Sequence, residues 1–241
     1  MNYLEMCNEV LVRMRESEIY SVADPNNDPQ QKLVTKFVND AKQFVERSHD
    51  WNALRKQWII DPAHEVYKYN LMGASEQARI YLVRYLSGAI LKEANPRWLE
   101  RKPPRQGNPH WYSLSSVNNG MVTLSLYPYP DNTFADSHDI YEYDEAFFDD
   151  TYDVESMALS PDKTLAVYGF AHQVRLKDDE DTFLIPEDPV LHYALAYAVR
   201  ERGEAGGASS MELFALAKQY LSDAISWDVA NSHLEYIWKT G

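Results

Sequence analysis

The spacing of apolar residues changes twice along this chain, and that change restricts the folds open to it. At the N-terminus Leu4, Cys7, Leu11 and Met14 recur at intervals of three and four. One helical face has that period, so a first helix is expected over residues 3–15. The stretch from Ser17 to Pro29 is polar, rich in Asp, Asn and Pro, and reads as a connector. Pro29 suits the first position of a second helix. Its apolar stripe is read as Leu33, Phe37, Ala41, Phe44 and Val45, with Lys32, Lys36, Lys42 and Glu46 off the stripe and an end before Trp51.

After Trp51 the period shortens. The runs QWII (57–60), EVYKYN (65–70) and RIYLVRYL (79–86) are rich in Tyr, Val and Ile and are separated by turn signals. They predict strands, as do residues 111–116, 121–127 and 138–143, with a weaker one at 164–170. Asn118-Asn119-Gly120 predicts a hairpin between two of these. Asn95-Pro96 opens one short helical turn through Arg101. Residues 142–155 are very acidic and read as a loop or edge insertion.

Helical period returns at Asp188-Pro189, with Asp188 a candidate N-cap and Pro189 a first-turn residue. Val190, Leu191, Ala194, Leu195, Ala198 and Val199 form its face, which ends at Gly203. Beyond the Gly-rich linker 203–209, Ser209-x-x-Glu212 has the form of a capping box. It predicts a last helix to about Trp238, roughly 40 Å long if unbroken. Phe214, Ala217, Leu221 and Ala224 make a clear stripe in its first half; the second half is less regular.

Helices, then strands, then helices predict an α+β protein. Residues 1–55 and 186–241 would form one helical bundle. Residues 56–185 would be an inserted β-rich domain, antiparallel because no parallel crossover is called for. With 241 residues, 45% of them hydrophobic, the chain is long enough to bury a real core. Tyr and Trp are abundant, 17 and 6, and such residues favour β structure and protein–protein contacts.

Several function classes are disfavoured. No apolar run reaches the length of a membrane span. Glu5 and Glu9 interrupt the first apolar pattern, unlike a secretory signal. A single cysteine, Cys7, makes no intrachain disulfide and reads as a core residue of a protein made in reducing cytosol. The formal net charge is −14, and the densest basic cluster, Arg97 to Arg105, is small, so stable DNA binding is not expected. No P-loop, nucleophile elbow, dinucleotide fingerprint or zinc-protease motif is present. His138-Asp139 beside Asp136 reads as a polar strand end. The acidic run 142–155 lacks the alternating, glycine-kinked spacing of a calcium loop. Asp24 and Asp28 read as loop residues, Asp50 as a helix terminator, and Trp51 and Trp58 as core or interdomain anchors. No catalytic, metal or cofactor site is expected.

Four blocks of residues carry a family likeness. The first has Leu4, Asn8, Val10-Leu11 and Arg15, then Phe37-Val38-Asn39-x-Ala41-Lys42-x-x-Val45-Glu46 and Asp50-Trp51-x-x-Leu54-Arg55. The second has Gly107-x-Pro109-x-x-Tyr112 and Leu126-Tyr127-Pro128-x-Pro130-Asp131. Ile185-Pro186 and Tyr197-Ala198-x-x-Glu201-Arg202-Gly203-Glu204 follow. In this order, over nearly the whole chain, they resemble the head–tail adaptor family of short-tailed bacteriophages, tail tubular protein A. The acidic stretch 142–165 and the region 60–78 depart from that pattern.

The resemblance implies a non-enzymatic virion protein of the tail or neck. It implies a ring, typically of twelve copies, under the portal protein. The tail nozzle protein would sit below, tail fibres at the side, and DNA would pass through the lumen during ejection. A C-terminal arm would reach the portal, and Trp227, Leu234, Tyr236, Ile237 and Trp238 are its candidate contacts. Two other readings stand beside this one: a fibre-docking or carbohydrate-binding tail module centred on the Tyr/Trp-rich β region, and a hydrolase built on the acidic run and His138.

Overall fold

The computed structural model describes residues 1–75, 78–117, 121–134, 139–144, 160–203 and 210–232. Its class is α+β. The chain divides into two units. Residues 1–54 and 173–241 form the helical unit, and residues 55–172 the β unit. The segment 173–185, expected with the strands, falls in the helical unit.

In the helical unit α1 (Tyr3–Arg13) is opened by Asn2, whose side chain accepts the Glu5 N–H while the Glu5 carboxylate accepts the Asn2 N–H. Reciprocal capping of this kind satisfies two backbone donors that have no partner within the helix. Helix α2 (Pro29–Ser48) starts with proline at its first position, and the Gln31 side chain accepts the Asp28 N–H. Helix α4 (Glu187–Arg202) has Pro186, not Asp188, at its N-cap and ends on Gly203 in the left-handed conformation. Glycine holds that conformation without the Cβ clash that other residues meet. Helix α5 (Ser210–Ser232) lies against α4. A short helix of the β unit, α3 (Pro96–Glu100), is the predicted turn after Asn95.

The buried face of α2 differs from the expected stripe. Val34, Val38, Ala41 and Val45 are buried in one apolar cluster with α1 residues such as Met6, Cys7, Val10 and Leu11. Leu33 and Phe44 are partly exposed instead. Lys42 and Glu46, placed off the stripe by their charge, are fully buried. The physical reason is the segment 173–176, which lies along α2 and brings backbone groups that need partners. Lys42 Nζ donates to the carbonyls of Gln173 at 2.8 Å and Val174 at 3.0 Å, and lies 3.0 Å from the Glu46 carboxylate. One turn earlier, Asn39 accepts the Leu176 N–H at 2.9 Å and donates to the Leu176 carbonyl at 3.1 Å. Asn39, Lys42 and Glu46 recur at helical spacing, so one polar stripe takes up this segment.

The other side of α2 meets α4, where Phe37 and Phe44 approach Tyr197 and Tyr193. Helix α4 is buried over most of its surface, from Val190 through Ala198. Near the C-terminus of α4, Arg202 donates to the Met14 carbonyl and pairs with Glu16, tying α4 to the end of α1.

The β unit holds eight strands among the described residues: β1 (Arg55–Asp61), β2 (Lys68–Ser75), β3 (Arg79–Tyr85), β4 (Lys92–Glu93), β5 (Trp111–Val117), β6 (Met121–Tyr127), β7 (Asp139–Asp144) and β8 (Leu165–Phe170). They form two four-stranded sheets, ordered β3-β8-β1-β7 and β2-β6-β5-β4. All pairings are antiparallel except that of the two-residue β4, which runs parallel to β5. Strands β5 and β6 pair with Val117 opposite Met121, the register a hairpin through 118–120 requires; those three residues lie outside the described ones. One apolar cluster draws on both sheets, with Trp58, Val83, Leu165 and Val167 from the first and Tyr69, Tyr112, Leu124 and Leu126 from the second. Two sheets therefore pack face to face. Within the acidic stretch, Glu142–Asp144 belong to strand β7 rather than to a loop, paired with Lys56–Trp58; residues 145–159 lie outside the described ones.

Candidate interaction surface

Helix α5 is apolar on two sides. Leu213, Phe214, Ala217, Leu221, Ala224 and Ile225 pack against the core of the helical unit. Ala217 is fully buried, and its lack of bulk lets α5 approach closely. The predicted stripe of Phe214, Ala217, Leu221 and Ala224 is thus the inner face. On the remaining surface Met211, Leu216, Trp227 and Val229 are exposed, Met211 at 79% and Trp227 at 72%. They stand among exposed polar residues such as Glu212, Gln219, Asp223 and Ser226, so they interrupt the polar outer face expected of a helix that only covers a monomer's core.

The last turns of α5 are anchored. Asp228 Oδ2 lies 3.0 Å from His49 Nε2, and the same carboxylate accepts the Asn52 N–H at 3.2 Å. The Asn52 side chain donates to the Asp228 carbonyl at 3.0 Å. His49 in turn meets the ring of Trp51 edge-on, and Trp51 is buried with its indole N–H on the Val45 carbonyl. His192, buried under the middle of α5, stacks on Tyr220 with ring centroids 4.0 Å apart. Its Nδ1 donates to the Asp188 carbonyl.

Of the five expected arm residues, the structure places only Trp227, exposed on α5. Leu234, Tyr236, Ile237 and Trp238 lie outside the described residues. Pattern reading did not single out Met211, Leu216, Tyr220 and Val229. Their signal was the weak one-sidedness of this helix, apolar residues falling on both faces. Nor did it find the His49–Asp228 contact, because the partners are far apart in sequence.

The groups weighed for chemistry fall in unremarkable places. Asp24 accepts the Asn26 N–H in its loop, and Asp28 caps α2. His138 and Asp136 lie outside the described residues; the backbone of Asp139 pairs opposite Asp61. Cys7 is fully buried, and burial pushes its thiol far above the range in which thiolates form. Trp58 sits in the core of the β unit. Among the described residues no group of three or more His, Cys, Asp or Glu is placed to hold a metal ion. No described helix is long and apolar enough to cross a membrane.

No curated protein matches the sequence. The family model of the SU10 adaptor protein matches residues 1–234, nearly the whole chain. The chain therefore belongs to the SU10 adaptor protein family, structural adaptors that are components of the bacteriophage virion.

Proposed function

We propose that the protein is a head-to-tail adaptor of the tail tubular protein A kind. Copies assemble as a closed ring, typically of twelve, that joins the portal protein to the tail nozzle protein. The outward side of α5, continuing into the segment with Leu234, Tyr236, Ile237 and Trp238, is the portal contact. The helical unit makes the ring contacts, and the β unit is left for outer partners such as tail fibres. The reading is carried by the exposure of Met211, Leu216 and above all Trp227 on an anchored helix. Aromatic side chains of this kind commonly dominate interface energetics. A net charge of −14 also suits a lumen through which DNA slides, because binding phosphates requires cations to displace counterions.

Light scattering of the pure chain, alone and with purified portal protein, tests the assembly. The expected outcome is a monomer alone and a stoichiometric ring with portal. A chain truncated before Trp227 should lose portal binding; truncated protein that binds portal as the full chain does would refute the arm assignment.

A further inference from the structure

The outer face of the β2-β6-β5-β4 sheet carries a cleft of about 290 Å³ that the proposed portal contact on α5 does not involve. Its making is legible in the strand alternation. Tyr69, Leu71, Tyr112, Leu124 and Leu126 point into the core, which turns Lys68, Ser113, Ser115 and Ser125 outward. In register, Lys68 lies opposite Ser125, and Ser125 opposite Ser113. Polar groups thus cross the sheet in a row at the inter-strand spacing of about 4.8 Å. That is comparable to the separation of alternate hydroxyls around a pyranose ring.

Three tyrosines wall one side. Tyr67 and Tyr129 stack with centroids 4.4 Å apart, and Tyr127 meets Tyr129 edge-on. The Tyr127 hydroxyl donates to the Pro103 carbonyl, which holds that ring in place. Pro96, Leu99 and Glu100 of α3 also line the cleft. An aromatic wall, a floor of hydroxyls and a rigid rim make a preformed concave site, near the lower limit of about 300 Å³ for small-molecule pockets.

The lining chooses among ligand classes. One cation, Lys68, and one carboxylate, Glu100, line it. A polyanion such as nucleic acid would meet Glu100 with only one lysine to hold it. A wholly apolar ligand would strip water from the Ser115 and Ser125 hydroxyls and give nothing back. A sugar satisfies both halves, with C–H faces against the tyrosines and hydroxyls towards Ser115, Ser125, Lys68 and Glu100. We infer that this cleft on the β unit is a binding site for an uncharged saccharide, one or two pyranose rings long. The site stands independently of the ring and portal reading, since it involves no residue of α5.

The test uses the full-length protein with three probes, maltotriose, cellotriose and tri-N-acetylchitotriose, followed by saturation-transfer NMR and calorimetry. At least one should bind, with an affinity unchanged between low and high salt. Tyr129→Ala should weaken it about tenfold, the loss expected for an aromatic partner. Ser115→Trp, at an exposed position on the cleft floor, should abolish it while circular dichroism stays unchanged. The inference is overturned if none of the three binds at millimolar concentration, or if binding survives both substitutions. It is equally overturned if the cleft takes labelled oligothymidylate or a proline-rich peptide in preference to every sugar.

Discussion

Replacing Lys42 with methionine tests the polar stripe of α2. Methionine keeps the length of the side chain but removes the ammonium group. The carbonyls of Gln173 and Val174 then lose a donor, and Glu46 keeps its carboxylate in a fully buried place. Breaking a buried ion pair from one side costs about 3–5 kcal/mol, because the surviving charge has nowhere to go. Urea unfolding followed by far-ultraviolet circular dichroism, which reads mainly the helices, should show a loss of that size near neutral pH. The loss should also depend on pH in a stated direction. Burial already raises the Glu46 pKa, and Lys42 is the chief influence holding it down. Without Lys42 it rises further. A carboxyl whose folded pKa lies above its unfolded value costs the fold most when ionised. The deficit therefore shrinks as pH falls through the folded pKa towards the unfolded one. K42M should recover part of its lost stability as the pH is lowered from neutral towards the ordinary carboxylate range, relative to the wild type. The double variant K42M/E46L, which removes both charges, should recover most of it. A loss under about 1 kcal/mol, or one that grows on acidification, would refute the stripe as a determinant of this fold.

Asn39→Ala should cost about 2–3 kcal/mol in the same assay, since it strands both backbone groups of Leu176 in a buried site; a loss within error would show that water or a shifted partner replaces the amide. Gly169→Ala, between β3 and β8, would place a methyl group 2.6 Å from Ile80 Cδ1 and 2.9 Å from the Arg79 carbonyl. The strands must part to admit it, so thermal melting should reveal about 1–3 kcal/mol of destabilisation, and an unchanged midpoint would contradict the close approach.

The positions of most elements were legible because their periods are local. Helices α1 and α2, the short α3 and seven of the eight described strands follow from the alternation and turn residues that bound them, β2 lying at 68–75 where 65–70 was expected; the two-residue β4 is too short to leave a period. Which face of a helix is buried was less legible, because that depends on what arrives from elsewhere. Lys42 and Glu46 read as solvent residues by type, yet the segment 173–176 returns from the other end of the chain and makes a polar stripe the favourable one. The start of α4 illustrates a smaller limit. Asp188 is a good N-cap by type, but the helix begins two residues earlier, with Pro186 at the cap. The Glu201-Arg202-Gly203 block, quoted for its family likeness, has a local explanation. Arg202 closes α4 onto Met14 and Glu16, and Gly203 turns the chain away.

The candidate surface was legible at Trp227 for a reason that the structure refines. A large aromatic in an irregular stretch suggests a partner, but so would one that simply folds back onto its own bundle. The two outcomes separate at the next residue. Asp228 is bound to His49 and Asn52, so the helix at this point has a fixed rotation about its axis. One residue turns an α-helix by about 100°. With Asp228 directed inward, Trp227 is carried round to the outer side and stays 72% exposed. It cannot be buried by a rotation of α5 without breaking those contacts. Fully burying a large apolar side chain is worth about 1.5–3 kcal/mol. That free energy is forgone by the single chain and becomes accessible on contact with another molecule. The clamp on Asp228 thus presents Trp227 in advance and lowers the ordering cost of an interface there. This supports placing the portal contact on the outer side of α5 rather than on the face that packs against α4.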